Sequence, residues 1–294
     1  MLDAEWRLSY PGTDLTFGTS ATAIFNRTTP VIGDADIRNA DVDRPRADGK
    51  AFGVDFFGGQ NITFDLGVRA PTEPAVRAEV SALRAAWRAD AVRKTPGAVA
   101  ELHTRYAGRE RVAYGRPRRF APDFTNLSLT RIASVTADFA CVDDLFYGAQ
   151  EITSPRIGTV TRAGGGLLAP LRSPLSTTVS SDRSVVIDVE TDLPAWPIIE
   201  INGPITNPVV EVVGVFRIEV KRALAYDETL IIDTRPWKRT AILNDSGSIA
   251  GAVRGTRLSD AALNTGSYEV ALRGDDLTGT ADAFIRWRAT YPSL

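Results

Sequence analysis

The segment from Pro194 to Val220 constrains the fold more than any other stretch of the chain. Ile198 to Ile201 is a short apolar run, and Asn202-Gly203-Pro204 is a turn signal directly after it. Asn207-Pro208 then drives the backbone toward extended geometry, because the residue before a proline is kept out of the helical region. The run that follows reaches Val220, with Val212, Val213, Val215, Phe216, Ile218 and Val220 apolar and Arg217, Glu219 and Lys221 alternating outward at its end. Period-two runs broken by glycine and proline specify antiparallel β structure. They carry no catalytic chemistry of their own.

The same grammar fills the second half. Apolar segments at 152–160, 185–189, 198–201, 209–220, 229–233, 241–243, 268–272 and 281–287 are separated by turn clusters such as Asn244-Asp-Ser-Gly247 and Gly274-Asp-Asp-Leu-Thr-Gly279. That spacing predicts a sandwich or jelly roll. Gly164-Gly-Gly166 with Pro170 and Pro174 predicts a surface loop near 162–178.

The first half is β-rich with one exception. Trp6, Leu8 and Tyr10 fit a strand ended by Pro11-Gly12, and residues 33–50 read as a polar loop or hairpin tip. Ile62, Phe64, Leu66 and Val68 alternate with Asn61, Thr63, Asp65 and Gly67, so one face of that strand is apolar and one is wet. The exception is 72–94, where Val76, Val80, Leu83, Trp87 and Ala91 recur at helical spacing behind the N-cap Thr72. Leu102 to Arg119 predicts a β-hairpin with Ala107-Gly108 at its tip. Val135, Ala137, Phe139 and Cys141 form one face of a further strand, and Asp143-Asp144 leaves it in a turn. A chain of 294 residues is long enough for two cores, and the domain boundary is expected at about residue 148.

Composition excludes several functions. A net charge of −2 without a long basic run argues against a dedicated nucleic-acid binder, and one cysteine rules out an intrachain disulfide. One histidine, His103, rules out a multi-histidine metal centre. No stretch has the roughly 20 apolar residues of a membrane helix, and the N-terminus lacks a secretory pattern, so synthesis in a reducing cytoplasm is expected. The carboxylate pairs Asp143/Asp144 and Asp275/Asp276 are neighbours in turns rather than an acid/base dyad. Cys141 on an apolar strand face is a small core residue, and no nucleophile elbow, P-loop or dinucleotide fingerprint occurs. The chain is not expected to be an enzyme or to carry a cofactor.

The 101–119 hairpin is locally basic, with Arg105, Arg109, Arg111, Arg116, Arg118 and Arg119 interleaved with Tyr106 and Tyr114. A solvated face and an interface both fit that composition, since arginine and tyrosine are enriched at contact surfaces. Trp196, Trp237 and Trp287 are candidate sugar-stacking residues, with buried structural tryptophans as the alternative.

Several segments together resemble the distal tail (Dit-type) or minor tail proteins of long-tailed bacteriophages, especially those of actinobacterial hosts. The most specific is Pro197-Ile-Ile-Glu-Ile-Asn-Gly-Pro-Ile-Thr-Asn-Pro208. Gly53-Val-Asp-Phe-Phe-Gly-Gly59 leading into 61–66, Phe139 to Tyr147, Asp233-Thr-Arg-Pro-Trp237 and 279–288 add to it. The resemblance implies an N-terminal β-sandwich (1–148) with one amphipathic helix and an arm hairpin, followed by a galectin-like or jelly-roll sandwich (149–294). It implies a structural virion protein at the distal end of the tail, forming a ring, six-fold in that family, that leaves a channel for DNA. The implied partners are further copies of the chain, the tail tube protein, and the hub and tape-measure proteins. In that reading the 101–119 hairpin is the inter-subunit arm. The rival reading is a carbohydrate-binding tail-tip protein acting in host adsorption.

Overall fold

Alternation at Ile62, Phe64, Leu66 and Val68 buries all four side chains completely, and the first half of the molecule is built around them. In the computed structural model, which describes residues 1–159, 184–245 and 247–294, the chain is mainly β. Its two units are Met1–Ala149 with Pro292–Leu294, and Gln150–Tyr291. The loop expected near 162–178 lies outside the described residues, as do the end of the 152–160 segment and Ser246.

In the first unit, strands β1 (Trp6–Tyr10), β2 (Thr13–Phe17), β3 (Ile24–Asn26) and β4 (Val31–Ile32) come first. Four two-residue strands follow: β5 (Ile37–Arg38), β6 (Val42–Asp43), β7 (Lys50–Ala51) and β8 (Phe56–Phe57). After β9 (Asn61–Arg69) come helices α1 (Glu73–Arg88) and α2 (Asp90–Arg93), then β10 (Ala100–Tyr106) and β11 (Arg109–Asp123). The one-turn helix α3 (Leu127–Thr130), β12 (Ile132–Cys141) and β13 (Phe146–Gly148) complete it. The main sheet runs β2-β1-β10-β11-β12-β9-β3, antiparallel throughout.

This single sheet curls until its ends meet. The Gly18 amide donates to the Ile24 carbonyl at 2.9 Å, and the Asn26 amide to the Gly18 carbonyl at 3.0 Å. Trp6 of β1 packs edge-on against Phe64 of β9 at 5.0 Å, across the inside of the curl. Phe17 and Trp87 complete the aromatic cluster around Phe64, at 5.4 and 6.0 Å from it. The layer opposite the strands is α1, which buries Val76, Val80, Leu83 and Trp87 as its spacing predicts. Thr72 caps its start by accepting from the Ala75 amide.

The helix stops earlier than its sequence pattern. Ala89 adopts a left-handed conformation (φ 47°) and its amide returns to the Ala86 carbonyl, so α1 ends at Arg88 and α2 starts on a new axis. The break rotates the apolar stripe. Ala91 is exposed, and Ala89 and Val92 take its place in the core.

The second unit begins with β14 (Ile152–Thr153), β15 (Ile157–Gly158) and β16 (Ser184–Val189). Next are β17 (Ile198–Asn202), β18 (Ile205–Val212), β19 (Phe216–Val220), β20 (Ala223–Leu224), β21 (Thr229–Asp233), β22 (Thr240–Leu243) and β23 (Gly247–Ser248). β24 (Val253–Gly255), β25 (Gly266–Asp275) and β26 (Asp282–Trp287) close the two sheets. One sheet is ordered β14-β26-β17-β21-β22-β23 and the other β16-β25-β18-β19-β24. Ile199, Ile201, Leu230, Ile232 and Ile285 from the first share one core with Val210, Val212, Ile218, Val270 and Leu272 from the second. That is a sandwich.

The 209–220 run, expected as one strand, is two. Gly214 at φ 80° turns the chain between Val212 and Phe216, so β18 and β19 form a hairpin. β-branched residues continue through the turn, which hides it from a pattern of apolar positions. The Gly203–Pro204 peptide between β17 and β18 is cis. Gly203 is required there, since a Cβ would lie 2.0 Å from the Ala225 carbonyl oxygen.

The Asp276 carboxylate ties the β25–β26 turn together. Burial works against its charge, but donors from Thr159, Thr278, Ala281 and Gly279 outweigh it and bring the pKa down to about 2. Asp275/Asp276 is therefore a turn anchor, as its sequence context indicates.

Candidate assembly surface

Between β4 and β9 the chain leaves the sheet and returns as a ribbon. The last rungs on the sheet are Val31 opposite Thr63 and the Gly33 amide donating to the Asn61 carbonyl at 2.8 Å. Beyond them β5 pairs only with β8, and β6 only with β7. The Gly58 amide donates to the Asp36 carbonyl at 2.7 Å, and the Arg44 amide to the Gly49 carbonyl at 3.1 Å across the tip. At roughly 3.3 Å per residue such a two-stranded ribbon can reach about 40 Å.

The ribbon mixes charged residues with large apolar side chains that cover nothing. Ile37, Val42, Phe52, Val54, Phe56 and Phe57 are all more than half exposed, Phe52 at 87%. Phe56 and Phe57 are consecutive in one strand and so point to opposite faces, yet 58% and 63% of their surfaces are open. Neither face of the ribbon is covered. Half of the exposed large apolar side chains among the described residues fall between Val31 and Phe57, which is under a tenth of the chain. Clustered exposed apolar side chains on an otherwise isolated hairpin are characteristic of a contact surface, because a two-stranded hairpin is marginal by itself in water.

The root of the ribbon is closely packed against the sheet. Gly59 passes so close to the end of β12 that a Cβ would lie 2.0 Å from the Cys141 carbonyl oxygen. The Cys141 amide donates to the Gln60 carbonyl at 2.9 Å, and the Gln60 amide to the Asp143 carbonyl at 3.1 Å. Cys141 is buried, and desolvation followed by the nearby Asp143 charge pushes its thiol up.

Beside this root, burial raises the Asp143 carboxyl to about 6, against the hydrogen bonds from the Tyr147 hydroxyl (2.6 Å) and the Leu145 amide (3.3 Å). Between about pH 4 and 6 the folded state therefore binds the extra proton, and stability falls as pH rises across that window. The loss is on the order of 2–3 kcal/mol. D143N is expected to flatten this part of the pH profile and raise the unfolding midpoint above pH 6. Parallel stability profiles for the two proteins between pH 4 and 7 would refute the assignment.

The sequence-predicted arm hairpin lies elsewhere in the first unit, and its strands belong to the main sheet. The 101–119 hairpin forms with its tip at Ala107-Gly108, but β10 is paired along its other side to β1, and β11 to β12 and β13. Tyr114 is buried (2% exposed) against Tyr147. Arg105 donates to the Met1 carbonyl, Arg111 to the Glu110 carbonyl, and Arg116 to the carbonyls of Ala98 and Thr95. Tyr106 and Arg109 are exposed at the tip, and Arg118 and Arg119 at a bulge near the other end of β11. A basic hairpin marks polar surroundings equally well at a sheet's centre and at its edge. The ribbon at 33–59 was legible only as Phe52, Val54 and Phe56 at period two beside a glycine-rich stretch.

The three candidate tryptophans differ in exposure. Trp287 is buried in the sandwich core, and the Arg235 guanidinium lies 5.5 Å above the half-buried Trp237 ring. Trp196 is half-buried before β17. Among the described residues no group of three or more His, Cys, Asp or Glu side chains could hold a metal, and no helix is long and apolar enough to cross a membrane.

No family profile matches the sequence, and no curated protein matches it. Solved structures do. The crystal structure of the Dit protein of phage SPP1 superposes with a TM-score of 0.58 at 14% identity, covering 97% of this chain and 99% of that one. The chain has the fold of a phage Dit protein. The phage P2 baseplate in its activated conformation contains a chain that matches with a TM-score of 0.57 at 11% identity with calcium, and 0.55 at 10% with strontium. Each of these covers 96% of this chain and 97% of the other. A superposition spanning both units means that the Dit-like likeness belongs to the whole architecture and not to one sandwich.

Proposed function

We propose that this chain is a structural protein of a long-tailed phage, located at the distal end of the tail. Its copies close into a ring there, with the 33–59 ribbon of each laid on the next. The observation that carries the assembly is the ribbon itself, with large apolar side chains exposed on both faces and unsupported in the single chain. A protruding element that docks on a different surface of an identical neighbour makes a heterologous contact, and such contacts close into rings when the rotation allows.

The position in the virion rests on the fold. The SPP1 Dit protein is described as a hub adsorption apparatus of phages that infect Gram-positive hosts, and the P2 relatives are baseplate components. In this reading the ring has six copies, joins the tail tube to the hub and fibres, and leaves an axial channel for DNA. The protein's work is then positional and mechanical rather than catalytic. Sugar binding by the second unit has less support, since Trp287, one of its three candidate tryptophans, is buried.

The test is the mass and negative-stain symmetry of the purified protein, alone and with the tube and hub proteins. A closed ring with an axial opening is expected in at least one of these mixtures, and it should disappear when residues 34–57 are replaced by a short Gly-Ser linker. A protein that stays monomeric with both partners present would overturn the reading.

A further inference from the structure

A second surface, away from the ribbon, has the chemistry of a binding site. Arg84, Arg88 and Arg93 from the end of α1 and from α2 converge with Arg118 of β11 around a cleft of about 300 Å³. Trp87 and Phe120 supply its apolar walls. Two of the arginines have local explanations. Arg88 pairs with Asp90 at 3.1 Å, and Arg93 reaches back to the Arg88 carbonyl at 3.4 Å, where a cation complements the helix C-terminus.

Arg84 and Arg118 do not. Neither makes a hydrogen bond or ion pair with the described residues, and both are exposed. Arg118 is placed by an irregularity: Pro117 is opposite Phe139 but Phe120 is opposite Ala137, so β11 carries one extra residue at Arg118–Arg119. A bulge re-aims side chains at the cost of ladder hydrogen bonds. Here it leaves Arg118 and Phe120 lining the same cleft and Arg119 outside it. Asp90, the carboxylate paired with Arg88, has its other oxygen 3.7 Å from Lys94. Four guanidinium groups therefore surround a concave space, and two of them, Arg84 and Arg118, have no partner among the described residues.

We infer that this cleft binds carboxylate side chains of an acidic polypeptide segment on a partner protein. Guanidinium forks match carboxylates in a bidentate manner, and the aromatic walls favour a side chain over a free ion. The cleft is of side-chain size rather than a stripe tracking a nucleic-acid backbone, and the chain as a whole is acidic, with a net charge of −2. The inference does not depend on ring formation.

The test uses the full chain and a fluorescein-labelled ten-residue glutamate peptide, followed by anisotropy at low salt. Saturable binding is expected, weakened at least about tenfold by R84S/R118S and by no more than about twofold by R119S, whose side chain lies beside the cleft but not in it. Both substitutions are at exposed positions, and an unchanged unfolding midpoint verifies the fold. Absence of saturable binding, equal losses in R119S, or tighter binding of a DNA duplex through the same two arginines would each overturn the assignment.

Discussion

Replacing three aromatic residues of the ribbon, as F52S/F56S/F57S, is expected to abolish self-assembly while leaving the monomer as stable as before. Each phenylalanine that becomes buried contributes about 1.5–3 kcal/mol, so three together can supply roughly 5–9 kcal/mol before non-additivity is counted. Even half of that raises the dissociation constant by roughly 10²- to 10³-fold. The monomer is spared because these side chains are 87%, 58% and 63% exposed and so contribute little to the folded single chain. Sedimentation velocity with the proteins that support assembly of the native chain would show the variant as monomer across the same concentrations. Assembly at unchanged concentration would remove the ribbon from the interface. The charged tip, 44–49, should tolerate substitution far better, since exposed ion pairs contribute at most about 1 kcal/mol.

F64A is expected to be the most damaging core substitution in the first unit, at about 3–5 kcal/mol. Phe64 is fully buried and touches Trp6, Phe17 and, from the helix, Trp87, so its loss opens a cavity where the curled ends of the sheet and α1 meet. The neighbouring rings are large and held from several elements, which limits collapse into the space. Amide exchange should show protection falling along β9 and β12, while β17 and β21, in the separate core of the second unit, keep theirs. Equal loss of protection in both units would contradict the division into two cores.

These two substitutions differ in how visible their targets are in sequence. Phe64 sits in a strict alternation with Ile62, Leu66 and Val68, and one apolar face on a strand has to be covered. Phe52, Val54 and Phe56 show the same period over a shorter stretch, and residues 33–50 read as a polar loop because that hairpin packs on nothing within its own chain. The arginine-rich hairpin at 101–119 shows the converse. Its arginines and tyrosines sit on strands whose Leu102, Val112 and Tyr114 are buried, so those strands lie in the middle of the sheet.

The helix boundary and the 212–216 turn were hidden for a local reason. Ala89 and Gly214 decide them through left-handed backbone conformations, and an alanine there leaves no trace in a pattern of apolar positions. The arginine cleft was hidden for a non-local one, since Arg84 and Arg118 are 34 residues apart and are brought together by helix packing and a bulge.

By itself, the sequence determined the β-rich class, the single amphipathic helix, the faces of the principal strands and the absence of recognisable catalytic motifs. All of these follow from periodicity and residue type, which act over a few residues. Only the tertiary structure decided which hairpin is internal and which is left uncovered. Burial depends on what the rest of the chain places against a segment, and no local pattern contains that information.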